Sequence, residues 1–179
     1  MTTFPILLLA HLIADFPLQT NRIYILKTQG NKGLLLHVLI HMLTAAALVQ
    51  RPWQYIPLFV ASGAIHFAID WLKLNKPAVK QTPGFLLDQL AHVATVLLLT
   101  LWQPHLTSIL PSWVVLLGIV WALIPAMLTL LWVLATDLQS TSPDNPTLTW
   151  ASHWLLPISQ KVGSLCVVSL VVIMVLVIV

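Results

Sequence analysis

The sequence predicts an all-α membrane protein: a polytopic helix bundle with five to six transmembrane helices, the first four forming two repeated helical hairpins around a polar site. Three observations carry this. The chain of 179 residues is 59% apolar and only 7% charged, against roughly 25% charged in an ordinary soluble domain. Apolar stretches of roughly 17 to 25 residues, the length that crosses a hydrocarbon core of about 30 Å, recur from end to end. Finally, four consecutive apolar stretches each hold two ionisable side chains four residues apart, which puts each pair on one helix face. The pairs are His11 and Asp15, His37 and His41, His66 and Asp70, and Asp88 and His92.

The first helix is expected over about 4–19. It lacks the basic start and small-residue cleavage site of a signal peptide, and it contains His11 and Asp15, so it reads as a mature helix. A polar connection over 21–32 follows, with Arg22, Lys27 and Lys32. The second helix, about 33–50, stops at Arg51-Pro52, because proline has no amide hydrogen to continue the ladder. The third covers about 54–74, and the loop with Lys73, Lys76 and Lys80 closes at Pro83-Gly84 before a fourth helix at about 85–102. A turn with Pro104 and Pro111 leads to a fifth over about 112–135, which Pro125 should kink. The polar stretch 137–149 reads as a loop, 150–156 as interfacial, and 162–179 as a last apolar span without an ionisable residue. Residues 1–179 form one integral membrane domain in this reading, with 1–102 a site-bearing four-helix core and 103–179 two additional helices with a cytoplasmic loop.

Basic residues set the expected orientation. The first and third loops hold three each, the second holds one and the fourth none, so the N-terminus is expected outside and loops 1 and 3 in the cytoplasm. Trp53, Trp71, Trp102, Trp113 and Trp150 fall near helix ends, as an aromatic belt requires, whereas Trp121 and Trp132 read as packing. On this topology all four polar pairs sit at one depth, towards the inner leaflet. His-Leu-Ile-Ala-Asp-Phe at 11–16 also resembles His-Phe-Ala-Ile-Asp-Trp at 66–71, and each run precedes a basic loop and a second polar pair. Two parallel repeats about an axis along the membrane normal would present two similar half-sites.

Five histidines and three aspartates in one place point to metal. His11, Asp15, His37, His41, His66, Asp70, Asp88 and His92 are the expected ligands of one or two cations. Imidazole nitrogen mixed with carboxylate oxygen suits zinc first, then manganese or iron. The absence of glutamate argues against a di-iron carboxylate bundle. Aspartate near the middle of a membrane costs roughly 2.5–3.5 kcal/mol unless it is compensated, and His–Asp pairing between helices would compensate it without a metal. Gln19, Ser62, Thr44 and Thr95 lie one turn from the pairs and could orient ligands or substrate, or serve as plain helix contacts. Lys27, Lys73, Lys76 and Lys80 stand at the cytoplasmic mouth, where they could meet a phosphate headgroup or act only as topology signals. His105 and His153 fall outside the set and read as interfacial.

Two classes of function fit. One is a metal-dependent membrane hydrolase acting on a lipid-like or phosphate-ester substrate, with Asp15, Asp70 or Asp88 as the base that activates water. The alternative is a proton- or metal-ion-coupled transporter, or a structural membrane subunit that uses the His/Asp pairs as polar helix contacts and sits in an oligomer or beside a partner subunit. The outer halves of the first four helices are almost wholly apolar, which favours a one-sided site. The single cysteine, Cys166, reads as a packed thiol, and a net charge of +3 gives no reason to expect nucleic acid.

The run His11-Leu-Ile-Ala-Asp15-Phe16-Pro-Leu-Gln19, then His37, His66-x-x-x-Asp70 with Lys73, and Phe85-Leu-Leu-Asp88-Gln89-x-x-His92 resembles the bacterial integral-membrane family called domain of unknown function 3307, DUF3307. The resemblance covers roughly the first hundred residues, a span that the motifs themselves mark out. It implies only an integral membrane protein without an assigned reaction, and so supports the polar set without naming a function; the bacterial inner (plasma) membrane is the expected location, and Gln19, Gln89 and Lys73 are expected to support the ligands from outside.

Overall fold

A computed structural model describes residues 3–76 and 80–178. Residues 77–79 of the third expected loop and Val179 of the last expected span lie outside the described residues. Among the described residues seven α-helices follow in order: α1 Thr3–Asp15, α2 Asn21–Gln29, α3 Asn31–Ala47, α4 Ile56–Asn75, α5 Gln81–Trp102, α6 Ser112–Gln139 and α7 Pro146–Ile178. A 3-10 turn, Pro52–Tyr55, leads into α4. Among the described residues there is no strand; one isolated antiparallel bridge joins Val49 and Ser108. Among the described residues four helical segments are long and apolar enough to cross a membrane: Pro52–Asn75, Gln81–Trp102, Ser112–Gln139 and Pro146–Val177.

The first helix is shorter than the sequence suggested. It ends at Asp15 because Pro17 biases Phe16 away from helical backbone and offers no amide hydrogen of its own. Thirteen residues rise about 20 Å, short of a hydrocarbon core. Its surroundings explain why it tolerates this. α1 packs against α3, α5 and α6, and Ile6, Leu9 and Ala14 are wholly buried. Its start is tied to the α5–α6 connection, where Thr3 Oγ1 donates to Gln103 O at 2.5 Å and accepts from Leu106 N at 3.0 Å. α1 is therefore the inner helix of the bundle, and the pair it carries is central.

The expected polar connection over 21–32 is instead the helix α2, and the structure corrects that reading. Thr20 accepts from Ile23 N at 3.4 Å, capping the first turn. Gly30, at φ 153°, turns the chain straight into α3. Gly33 then lets the two helices touch, since a Cβ there would overlap the Leu26 carbonyl. α3 stops at Ala47, earlier than expected, and its end pairs with the α5–α6 connection through Gln50 N to Thr107 O at 2.8 Å and Ile109 N to Leu48 O at 3.0 Å.

α5 starts at Gln81, ahead of the expected position. Asp137 is the cause: read as loop, it lies inside α6, and its carboxylate accepts from Gln81 N at 3.0 Å and Thr82 N at 2.6 Å. A carboxylate there satisfies free amide groups and faces the positive end of the α5 dipole. The loop expected over 137–149 shrinks to 140–145, because Asn145 caps α7 by accepting from Thr147 N at 3.0 Å and Leu148 N at 3.3 Å. Residues 150–156 and the last span are parts of this one helix, with Pro157 inside it. Pro125 likewise lies within α6. The Pro125 carbonyl accepts from Ser159 Oγ of α7 at 2.8 Å, and Thr129 Oγ1 lies 2.9 Å from the same hydroxyl, which clasps the two long helices together.

The outer faces are apolar, as a lipid-facing surface requires: Leu97, Leu98 and Leu101 on α5, Val120 on α6 and Val168 and Val172 on α7 are all exposed. Trp53, Trp71, Trp102, Trp113 and Trp150 are exposed as well. Trp132 packs as expected, donating to Ser152 O at 2.8 Å. Trp121, read as packing, instead faces outward. Cys166 is fully buried.

Candidate functional site

The four polar pairs meet. α1 supplies His11 and Asp15, α3 supplies His37 and His41, α4 supplies His66 and Asp70, and α5 supplies Asp88 and His92; all eight are buried. The i, i+4 spacing turns both members of each pair to the same face, and the four faces converge where α1 and α4 end and α3 and α5 begin. Three overlapping groups result, with ligand atoms within 4.8 Å of one another: Asp15, His37, His41 and His66; His11, His66 and His92; and Asp70, Asp88 and His92. His105 and His153 belong to none of these and are exposed.

Three separations within the first group suit a metal site. His41 Nε2 lies 3.0 Å from Asp15 Oδ1, His37 Nε2 lies 3.3 Å from the same oxygen, and His66 Nε2 lies 3.3 Å from His37 Nε2. A tetrahedral ion with bonds of about 2.0–2.1 Å separates its ligands by about 3.3 Å. Two imidazole nitrogens facing each other share at most one hydrogen, so one lone pair remains available. Such His/Asp clusters could hold a metal ion. His11 stands at the edge of the set. Its Nε2 is 3.3 Å from Gln89 Oε1, while Gln89 Nε2 donates to Asp15 Oδ2 at 2.9 Å, so Gln89 links the two residues of the α1 pair.

Two lysines fasten the remaining carboxylates. Lys73 Nζ lies 2.7 Å from Asp88 Oδ2 and Lys27 Nζ lies 2.8 Å from Asp70 Oδ2. Lys73 is where the motif suggested. Lys27 was read as a residue of the mouth, and the structure makes it a partner of the wholly buried Asp70. The usable signal was the pair Thr20 and Gly30, an N-cap residue and a glycine bracketing one short helix.

Other expected neighbours divide. Gln19 does not share the α1 face, since the helix has already ended; it lines a cavity beside the cluster and its Oε1 is buried without a hydrogen-bond partner. Thr44 and Thr95 bond back to their own helices, at Ile40 O and Ala91 O, and orient nothing in the site. Ser62 lines a small cavity of about 30 Å³ beside His66, whose other walls include Leu7, Ala45 and Val96.

On the opposite side the cluster opens into a larger cavity of about 370 Å³. Asp15, Asp88 and Gln89 line it at the cluster, together with Lys27, Lys73 and Lys80. Phe16, just past the end of α1, and Phe85, Trp132 and Leu156 of α5, α6 and α7 give it an apolar wall. The cavity thus combines carboxylate, ammonium and hydrocarbon surfaces in one space.

A match to the family described as "Protein of unknown function (DUF3307)" spans residues 3–117, which include every residue of the cluster. No curated protein and no solved structure matches the chain.

Proposed function

The chain belongs to the DUF3307 family, and we propose that it is a metal-dependent membrane hydrolase whose His/Asp cluster holds the catalytic cation, zinc ahead of manganese or iron. The substrate is a phosphate ester of lipid-like character. The observation that carries this reading is the cavity: the cluster forms one wall, three lysines flank it and aromatic side chains lead away from it. Lysines beside a metal suit a phosphate, and the apolar wall suits an acyl or prenyl chain.

Asp15, His37, His41 and His66 are the ligands of the ion in this reading, because the separations of 3.0–3.3 Å that link them suit a tetrahedral ion. A cation bound there would bring the pKa of its water to about 7 and polarise the phosphoryl oxygen. Of the three aspartates, Asp70 is wholly buried whereas Asp15 and Asp88 line the cavity. Both oxygens of Asp15 are taken up, by His41 and Gln89, whereas Asp88 gives Oδ2 to Lys73 and keeps Oδ1 free of hydrogen bonds, so Asp88 is the carboxylate that receives the proton of the attacking water. Asp70 holds Lys27 and the α4 side of the cluster.

The one-sided opening favours hydrolysis over transport. Beyond the cluster the small cavity is bordered by Leu7, Ala10, Ala45 and Val96 besides the histidines of the cluster and the hydroxyls of Ser62 and Thr95, and at about 30 Å³ it is far smaller than the cavity of about 370 Å³ on the lysine side. The site lies towards the cytoplasmic leaflet of a bacterial inner membrane with the N-terminus outside, a placement supported by Lys27, Lys73 and Lys80 lining one cavity at this end.

The test is elemental analysis of detergent-purified protein, wild type beside His66→Ala, after loosely bound metal has been removed, followed by release of phosphate from lipid phosphates in mixed micelles. Bound zinc, manganese or iron that is lost in a folded His66→Ala variant, together with wild-type turnover, supports the reading. Folded wild type that takes up none of these ions, or metal-loaded protein inert towards lipid phosphates, overturns it.

A further inference from the structure

The group of Asp70, Asp88 and His92 differs from the first ligand set in having unpaired atoms at its centre. Asp70 Oδ1, Asp88 Oδ1 and His92 Nε2 are buried and make no hydrogen bond. They nevertheless face one another: His92 Nε2 is 3.6 Å from Asp70 Oδ1 and 3.5 Å from Asp88 Oδ1. Neither distance is a hydrogen bond, so a proton on His92 leaves both oxygens unsatisfied. Buried carboxylate oxygens without a partner carry a large desolvation cost. Separations of 3.5–3.6 Å do match the edge of a tetrahedron with bonds of about 2.1–2.2 Å to oxygen and nitrogen.

The outer oxygens explain how this arrangement is held. Lys73 takes Asp88 Oδ2 and Lys27 takes Asp70 Oδ2, which fixes each carboxylate with its other oxygen turned inward. Asp70 also touches the first ligand set, its Oδ2 lying 3.2 Å from His66 Nε2 and 3.5 Å from His37 Nε2. One carboxylate thus presents an oxygen to each group, as in sites whose two ions sit about 3.5–4 Å apart.

We propose that Asp70 Oδ1, Asp88 Oδ1 and His92 Nε2 bind a second divalent cation, so that the centre is dinuclear. This extends the metal reading of the first group and is independent of the hydrolytic one. With the second ion bound, Asp88 is a ligand, and the ion takes over the activation of water assigned above to that carboxylate. Charge gives the site a further property. Three aspartates and two lysines leave one negative charge with the histidines neutral, so the first dication already turns the centre positive and the second adds two more positive charges, which an anion must offset. The second ion therefore binds more tightly when phosphate occupies the lysine-flanked cavity.

The experiment is manganese titration of metal-stripped, detergent-purified full-length protein with and without inorganic phosphate, read by bound equivalents and by electron paramagnetic resonance. Wild type is compared with Asp88→Asn and His92→Gln, each checked for folding by circular dichroism. Two equivalents in wild type with phosphate and an exchange-coupled signal, falling to one equivalent with an isolated-ion signal in either folded variant, are expected. A single equivalent in wild type under both conditions overturns the second site and leaves the first standing. Two equivalents that persist in both variants place the second ion elsewhere and also overturn it. Two ions bound in a protein that hydrolyses no lipid phosphate leave the dinuclear site intact while the hydrolase reading fails.

Discussion

Lys27 Nζ lies 2.8 Å from Asp70 Oδ2, joining the short helix α2 to a carboxylate that has no exposure at all. Removing one member of a buried pair strands the other and typically costs about 3–5 kcal/mol. Lys27→Met is therefore expected to lower the midpoint of thermal unfolding by roughly 6–20 °C. Adding Asp70→Asn to Lys27→Met should recover part of that loss, because the stranded charge is gone. Unfolding of the two single variants and the double variant in one detergent checks this, and strictly additive effects would refute the pairing.

Gly33 should matter for the same reason, at one remove. A Cβ at this position overlaps the Leu26 carbonyl, so Gly33→Ala must push α2 away from α3 and draw Lys27 off Asp70. The expected cost is at least the roughly 1–3 kcal/mol of an overpacked contact. Combining Gly33→Ala with Lys27→Met should add little further destabilisation. A double variant as unstable as the sum of the two would separate the glycine from the ion pair.

Gln89 donates to Asp15 Oδ2 at 2.9 Å, on the oxygen opposite the one that His37 and His41 share. Loss of such a supporting bond commonly weakens metal binding by about 10–100-fold. Gln89→Ala should therefore retain the fold and the full metal stoichiometry while zinc affinity drops by that factor, as measured by competition with a chelator. Unchanged affinity would remove Gln89 from the site.

Zinc should also stabilise the folded chain. At a free concentration about 100 times its dissociation constant, an ion that binds only the folded state adds about 2.7 kcal/mol. The unfolding midpoint should rise by roughly 5–10 °C on loading and fall again with chelator. His41→Ala, which removes the imidazole 3.0 Å from Asp15 Oδ1, should abolish the shift. A shift of equal size in that variant would mean the ion binds elsewhere.

Asp137 provides the control. It caps α5 by accepting from Gln81 N and Thr82 N and belongs to none of the three His/Asp groups. Asp137→Ala should lower the unfolding midpoint modestly, as lost caps do. Metal content measured alongside should not change; if it falls, the start of α5 and the cluster are coupled more tightly than their separation implies.

The site was legible in the sequence because its signal is local. His11 and Asp15, His66 and Asp70, and their counterparts at His37 and Asp88 share helix faces through a four-residue spacing, and ionisable groups in apolar helices demand partners wherever they end up. The fold class followed equally from the runs of apolar residues. What escaped were features that depend on contacts distant in sequence. α2 was hidden because its polar side chains look like loop until Thr20 caps it and Gly33 gives it a surface on α3. The start of α5 and the extent of α6 depended on Asp137 meeting amide groups more than fifty residues away. Residues 11, 37, 66 and 92 announced histidines, but spacing along a helix carries no information about neighbouring helices. The sequence by itself determined which side chains had to be satisfied, since burial in an apolar helix leaves a carboxylate no water. Only the tertiary structure decided that Lys27 and Lys73 would hold the outer oxygens of Asp70 and Asp88 while the inner ones faced His92, because the relative rotation and depth of α2, α4 and α5 arise from packing between helices.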